Sequence, residues 1–241
     1  MNRFWDADTL HFMEDAALHT DFYQRVADWL LPQISPAAHV CDAGCGLGFL
    51  SLTLAPHLRS VTAVDVCPEA LEVLRRHQVE RNVANLQIRC SDITSAVPPA
   101  PYDAMVFCLF GEYDLGLRVA RAQCSGDVFF ILRDDPMHRF SAHQHPVALK
   151  GFAGTCRLLT ELDIPFTQEK CALDFGQPLR SREEARRFFL RHSVDDPSAI
   201  TDAFLDSRLI ASPDPEFPLY MPHRRNLGLV RLRAADIPPL P

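Results

Sequence analysis

The chain is poor in the features that announce several large classes of protein. No apolar run approaches the ~18 residues that cross a bilayer, so no transmembrane helix is expected. Basic residues are in deficit: 24 Lys and Arg stand against 31 Asp and Glu, a net charge of −7. A nucleic-acid partner is therefore disfavoured, since such binders carry a basic face. Eight cysteines are present, but they form no paired framework. Cys90, Cys108 and Cys156 sit inside apolar runs, which predicts reduced, buried thiols in a cytoplasmic protein. Cys41 and Cys45 have no second pair at zinc spacing. The opening MNRFWDADTLHFMEDAALH is acidic and broken by charge, so it predicts no signal peptide. There is no internal repeat and no low-complexity segment. The phosphate-cradling GxxxxGK[ST] pattern is absent as well.

What remains is ordinary globular material. A chain of 241 residues, 47% hydrophobic and 23% charged, suits one domain with a sizeable core. Residues 9–34 form an amphipathic region that Pro32 and Pro36 end. From residue 39 strands and helices alternate. HVCDAG, SVTAVDV, NLQIRCSD, YDAMVFCLFG and DVFFILR read as five strands, and YDAMVFCLFG is almost uniformly apolar, as buried parallel strands are. FLSLTLAPHL, PEALEVLRRHQVERN and LGLRVARAQC read as the helices between them. The pattern predicts an α/β fold, a doubly wound, Rossmann-like and mostly parallel sheet.

After strand five the pattern changes. Residues 141–162 read as helical, FTQEKCALDFG as a strand, and SREEARRFFLRH as a helix whose Ser181 and Glu184 are spaced for a capping box. PSAITDAFLDSRLI reads as a further helix, PDPEFPLYMP as a proline-rich loop, and NLGLVRLRA as the closing strand. The expected organisation is one domain over 1–241: a helical N-terminal cap over 1–37, a core over 38–133, and a half over 134–241 with an insertion at about 176–225. That insertion is either a substrate cover or packing. Phe188, Phe189, Phe204, Phe217 and Tyr220 offer it apolar walls, and Arg180, His223 and Arg224 polar anchors.

The most informative stretch is HVCDAGCGLGFLSLTLA, residues 39–55. Gly44, Gly46 and Gly48 turn the chain with no side chains in the way. The dinucleotide pattern GxGxxG is met only in part, because its third position is Phe49, whose ring would obstruct close helix–strand packing. Asp42 precedes the glycines; it would repel a pyrophosphate and accept a cation, or else hold loop amides. Asp65 ends the second strand about 20 residues later, where an acid can accept both hydroxyls of a ribose or simply be solvated. Asp92, at the end of the third strand, can take an exocyclic amine or cap a helix. Three acids thus end the first three strands of one sheet.

Taken together, VCDAGCGLGFLS, VTAVDV, CSDI and YDAMVFCLF, in that order, resemble the class I S-adenosylmethionine-dependent methyltransferases over about residues 38–133, and the last strand suits that family's closing hairpin. The resemblance implies a seven-stranded sheet. It implies that Gly44, Cys45, Gly46 and Gly48 pass their backbone along the methionine part of S-adenosylmethionine, with Asp42 beneath its amino group. Asp65, with Val66 beside it, would hold the ribose, Asp92 and Ile93 would flank the adenine, and Leu109 would lie near the cofactor. Tyr23 would close over the pocket. The Asn- or Asp-Pro-Pro-Tyr/Phe motif of the base-amino and glutamine methylases is replaced by CLFGEYD, and Cys108 has no basic neighbour to make it a nucleophile.

A sulfonium is already an activated methyl donor, so alignment can supply most of the catalysis and no obligatory side chain need exist. Glu112, Tyr113, Arg133 and His138 are the substrate-side candidates. His138, His143 and His145 cluster after strand five, but no companion acid lies at a fixed helical spacing, so no metal site is assigned. His223-Arg224-Arg225 either grips an acidic substrate or is a solvated charge cluster. The expectation is methyl transfer to a small molecule with S-adenosylhomocysteine as product, in the cytoplasm, with no nucleic acid or membrane partner and the oligomeric state open. The alternatives are an RNA or protein methyltransferase, or a non-catalytic S-adenosylmethionine-binding sensor or accessory protein; a nicotinamide-dependent oxidoreductase is weakened by Phe49.

Overall fold

Short β-branched and apolar segments alternating with amphipathic helices can bury both faces of a sheet only if the helices cover it on both sides. The computed structural model describes residues 5–95, 97–111, 113–147 and 151–240, Tyr113 by its backbone alone. It divides into two compact units. One holds residues 23–134, 150–171 and 227–241, and the other holds 1–22, 135–149 and 172–226.

The chain begins with α1 (Ala7–His19) and α2 (Phe22–Leu30), then enters the sheet through β1 (His39–Ala43). There follow α3 (Phe49–Leu54), β2 (Ser60–Asp65), α4 (Pro68–Glu80), β3 (Leu86–Cys90), β4 (Tyr102–Cys108), α5 (Tyr113–Gln123) and β5 (Cys124–Arg133). Next come α6 (Phe152–Glu161), β6 (Phe166–Asp174), β7 (Gln177–Leu179), α7 (Arg182–His192), α8 (Asp202–Arg208), β8 (Ile210–Ala211), β9 (Leu219–Met221) and β10 (Arg224–Arg233).

The first unit is built on the expected seven-stranded sheet, in the order β3-β2-β1-β4-β5-β10-β6. The pairs from β3 to β5 are parallel, and β10 runs antiparallel to β5 from Leu227 opposite Arg133 to Arg233 opposite Asp127. Val40–Ala43 of β1 and Val61–Asp65 of β2 are buried throughout, which is why these strands read as continuous apolar runs. Phe107 of β4 and Phe130 of β5 stack at 4.9 Å beneath α5. α4 opens on Pro68, whose missing N–H costs nothing in a first turn, and buries Ala70, Leu71, Val73 and Leu74.

The second unit has its own core. Phe12 of α1 meets Phe188 of α7 edge to face at 5.2 Å, within a cluster that includes Leu179, Phe189, Leu205 and Met221. A small antiparallel sheet, β7-β9-β8, completes it. α7 starts where the capping pattern places it: the Ser181 side chain accepts from the Glu184 N–H at 3.1 Å.

Several expectations give way here. The helix expected over 141–162 begins only at Phe152. Residues 136–147 are irregular instead, bracketed by Pro136 and Pro146 and closed by a bridge between Met137 and Pro146. The helix expected from Pro197 is a short 3-10 turn followed by α8, capped by Thr201. The proline-rich loop carries β9. Residues 1–22 group with the second unit and 23–37 with the sheet. No helix among the described residues is long and apolar enough to cross a membrane, and none of the eight cysteines is in a disulfide.

Candidate functional site

β1 leaves the sheet at Ala43, and the chain turns through Gly44, Gly46 and Gly48 with φ of +71°, +54° and +72°. Only glycine adopts such angles at little cost. Space demands it too: a Cβ on Gly44 would lie 2.0 Å from the Phe110 ring, and one on Gly48 2.4 Å from Leu74. The N–H groups of Gly44 and Cys45 both donate to the Val64 carbonyl, at 2.8 and 3.1 Å, fastening the loop to the end of β2. β1 pairs with β2 on one side and β4 on the other, so the strand order reverses beside it. In open α/β sheets that switch point is where ligands bind, outside the carboxyl ends of the strands.

Asp65 does not end β2 as a solvated acid. It is 8% exposed; its Oδ2 accepts the Gly46 N–H at 2.8 Å and its Oδ1 the Cys67 N–H at 2.9 Å. One carboxylate therefore braces two turns. Asp42 lies deeper, at 1% exposure, and its Oδ2 accepts the Ser51 hydroxyl at 2.6 Å. Burial pushes the Asp42 carboxyl up to about 6; the Ser51 hydrogen bond opposes the shift and the charge of Asp65 adds to it. Burial and the same two carboxylates push the Cys45 thiol up as well, which makes it a poor nucleophile.

Asp92 is exposed and folds back on its own turn, its Oδ1 accepting the Thr94 hydroxyl at 2.7 Å and N–H at 2.8 Å. Those two bonds lower its pKa. Ile93 is 4% exposed and packs into the sheet core, while Val66, beside Asp65, is 51% exposed at the strand end. Leu109, just past β4, takes φ +55°, a strained angle for a side-chain-bearing residue, and its N–H donates to the Ile131 carbonyl at 2.8 Å. Tyr23 stacks on Phe49 at 5.9 Å, and Phe49 packs on His77 of α4 at 5.1 Å. The ring that breaks the dinucleotide pattern is thus a buried packing element at the start of α3.

The substrate-side candidates are less unified. Arg133 ends β5 in the sheet unit and Tyr113 begins α5, but Glu112 lies outside the described residues. His138 belongs to the second unit, where its Nδ1 lies 2.8 Å from the Ser141 hydroxyl. The basic run 223–225 is solvated only in part: Arg224 is exposed, its Nη2 donating to the Ala172 carbonyl at 2.7 Å. Arg225 is 6% exposed and lies over Phe175 at 4.1 Å, while burial and nearby arginines depress His223 to about 3. Phe188 and Phe189 are buried in the core of that unit, which matches the packing reading of the segment. Sequence reasoning missed Ser51, the Cys67 amide and Phe110. Only Ser51, in the turn of α3 above Asp42, left a signal that helical spacing could have revealed.

Carboxylates thus end three neighbouring parallel strands on one edge, around a loop that presents bare backbone. That edge suits a ligand carrying a cation and vicinal hydroxyls better than one carrying a pyrophosphate.

Comparison with known proteins agrees with this geometry. Residues 40–122 match the family described as "Methyltransferase domain". A ubiquinone biosynthesis O-methyltransferase of Xanthomonas campestris is 33% identical over 110 residues, 43% of this chain and 42% of that protein. The chain therefore aligns with less than half the length of the curated relative. The YcgJ protein of Bacillus subtilis superposes with a TM-score of 0.56 at 14% identity, covering 87% of this chain and 99% of that one. A putative methyltransferase of Bacillus halodurans gives 0.54 at 10% identity, covering 88% and 97%. At those identities the structural likeness speaks for the fold. Residues 40–122, which hold the glycine loop and the strand-end acids, are similar to that methyltransferase-domain family.

Proposed function

We propose that this protein transfers the methyl group of S-adenosylmethionine to a small-molecule acceptor and releases S-adenosylhomocysteine. The observation that carries the proposal is the loop Gly44–Gly48, left-handed at three glycines and braced by Asp65, above the buried Asp42 at the switch point of the sheet. The loop turns without side chains of its own at Gly44, Gly46 and Gly48, and the groups around it are anionic; both fit this cofactor. The sulfonium supplies an activated methyl, whose bond to sulfur breaks as the bond to the acceptor forms.

The chain's own residues would bind and orient. Asp42 would face the amino group of the methionine part, along the backbone of Gly44, Cys45, Gly46 and Gly48. Asp65 would exchange its loop amide for the ribose hydroxyls. Val66, with its exposed side chain, would cover the adenine, and Asp92 would accept its exocyclic amine; Ile93, being buried, would contribute backbone. Leu109 would sit against the cofactor after β4. Tyr23, Tyr113 and Arg133, all of the sheet unit, are the acceptor-side candidates this reading keeps.

Holding acceptor and methyl in line is worth orders of magnitude, and a general base is needed only for a protonated acceptor. The relatives named for O-methyl transfer make a hydroxyl oxygen the first acceptor to test. The acidic net charge favours a small molecule over nucleic acid, and a cytoplasmic setting would keep the eight thiols reduced.

The test is calorimetry with S-adenosylhomocysteine and with NAD, followed by a turnover screen of phenolic acceptors read as S-adenosylhomocysteine release. Ligand at 100-fold over its Kd should stabilise the protein by about 2.7 kcal/mol. Binding of NAD in place of the adenosyl ligand would overturn the proposal. Binding without turnover on any acceptor would point to a sensor.

A further inference from the structure

The sequence shows no acid at helical spacing from His143 and His145. The fold brings one from the far end of α7. Asp195 lies just beyond that helix, and its Oδ1 is 3.0 Å from His143 Nδ1 and 2.5 Å from His145 Nε2. The three ligating atoms all fall within 4.8 Å of one another.

The arrangement is ordered from behind. The second carboxylate oxygen, Oδ2, accepts the N–H of Ala142 at 2.5 Å and of His143 at 3.3 Å, and the Ser193 hydroxyl at 3.2 Å. The Asp195 side chain is only 3% exposed, while those of His143 and His145 are 72% and 40% exposed. A pinned carboxylate thus offers a single oxygen toward two imidazoles at the surface. Such hydrogen bonding behind a ligating carboxylate is the support that metal sites use. The loop that carries the histidines is closed at its base, His138 N–H to the His145 carbonyl at 2.7 Å and Val147 N–H to the Pro136 carbonyl at 3.0 Å.

A second cluster shows the contrast. His11, Asp15 and Glu184 are equally close, but Arg180 sits among them, its Nη1 at 2.5 Å from Asp15 Oδ2 and 3.3 Å from Glu184 Oε1. A guanidinium is the cation there. Among the described residues no arginine or lysine pairs with Asp195.

We propose that His143, His145 and Asp195 form a binding site for a divalent first-row metal ion, of which Zn²⁺ is the natural occupant. Two imidazoles and one carboxylate are a donor set that zinc prefers, and three protein ligands leave a fourth position for water or a small ligand. Tetrahedral ligands at about 2.0–2.1 Å from zinc stand roughly 3.3 Å apart. The 3.0 Å separation nearly meets that, and the 2.5 Å one must open by less than about 1 Å. The ion would cross-brace the loop 136–147 to the turn after α7.

The experiment uses the full chain, stripped with a chelator and titrated with Co²⁺ while visible absorption is recorded, with Zn²⁺ followed by thermal melting. One Co²⁺ per chain is expected, with d–d bands of low symmetry and no thiolate-to-cobalt charge transfer. The double variant His143→Ala/His145→Ala should bind at least 100-fold more weakly and lose the zinc-dependent rise in Tm. The single variant His145→Ala should weaken binding by an intermediate factor. X-ray absorption of the wild-type cobalt protein should show nitrogen and oxygen scatterers only, a result that does not depend on any variant folding. No cobalt binding, binding unchanged in the histidine variants, or a sulfur scatterer would each overturn the site.

Discussion

The carboxylate of Asp65 holds the N–H of Gly46 at 2.8 Å, from the end of one parallel strand to the turn that follows its neighbour. The same group takes the Cys67 N–H, so the acid proposed for the ribose also keeps the loop in shape while no ligand is present. A polar partner for those amides must exist in either state, because the site is buried.

Asp65→Ala should therefore do two things at once. It should weaken S-adenosylhomocysteine binding by tenfold or more. It should also lower unfolding free energy by about 1.5–3 kcal/mol, the range for hydrogen bonds to a charged group. Calorimetry and urea melts read the two effects separately. Affinity lost with stability untouched would mean the brace seen here is dispensable.

Asp42 gives a pH dependence. Its carboxyl is raised from 3.8 to about 6 by burial. A raised acid stabilises the fold fully below its unfolded pKa, and that contribution disappears as pH rises through about 6. At pH 8 Asp42→Asn should thus be more stable than wild type by roughly 1–3 kcal/mol, the upper figure being 2.2 pKa units at 1.36 kcal/mol each. The ligand's ammonium needs the anion, so wild-type Kd should rise about tenfold per pH unit below about 6. Asp42→Asn should bind weakly at every pH. A flat wild-type profile would remove Asp42 from the ligand.

Gly44→Ala should fail for two reasons. Its φ of +71° costs an L-residue about 1–2 kcal/mol, and its Cβ would stand 2.0 Å from the Phe110 ring. Pairing it with Phe110→Ala should recover the overlap and leave the backbone cost. Melting temperatures of the two singles and the double form a cycle; strict additivity would show that the ring and the loop do not press on one another.

Ser181→Ala should cost about 1 kcal/mol by removing the N-cap of α7, whose Glu184 N–H loses its 3.1 Å acceptor. The readout is the urea midpoint, with binding of S-adenosylhomocysteine held as the control. An unchanged midpoint would mean the helix start is fixed by its aromatic packing alone.

Much of the sheet unit was legible because its signals are local. Strands buried on both faces are uniformly apolar, glycines mark the turn that backbone strain demands, and an acid ends each of the first three strands. Phe49 and Ile93 show where this stops. The sequence reveals that Phe49 breaks a dinucleotide pattern; the ring's stacking between Tyr23 and His77 depends on helices distant in the chain. Ile93 follows a strand-end acid, yet it packs inward, because β3 has ended and the next turn dives beneath α5, where Gln123 Nε2 meets the Ile93 carbonyl at 2.7 Å.

By itself, then, the sequence determined the alternating fold, the glycine turn and the order of its acids, since each arises from residues within one strand–turn–helix unit. Tertiary structure decided which acids brace and which stand open, and gave Asp65 two backbone partners. It also buried the basic run at Arg225 among aromatic rings and carried Asp195 across a whole helix to His143 and His145. Those pairings join segments far apart in the chain, and only the closing of loops and the packing of α7 set the distances between them.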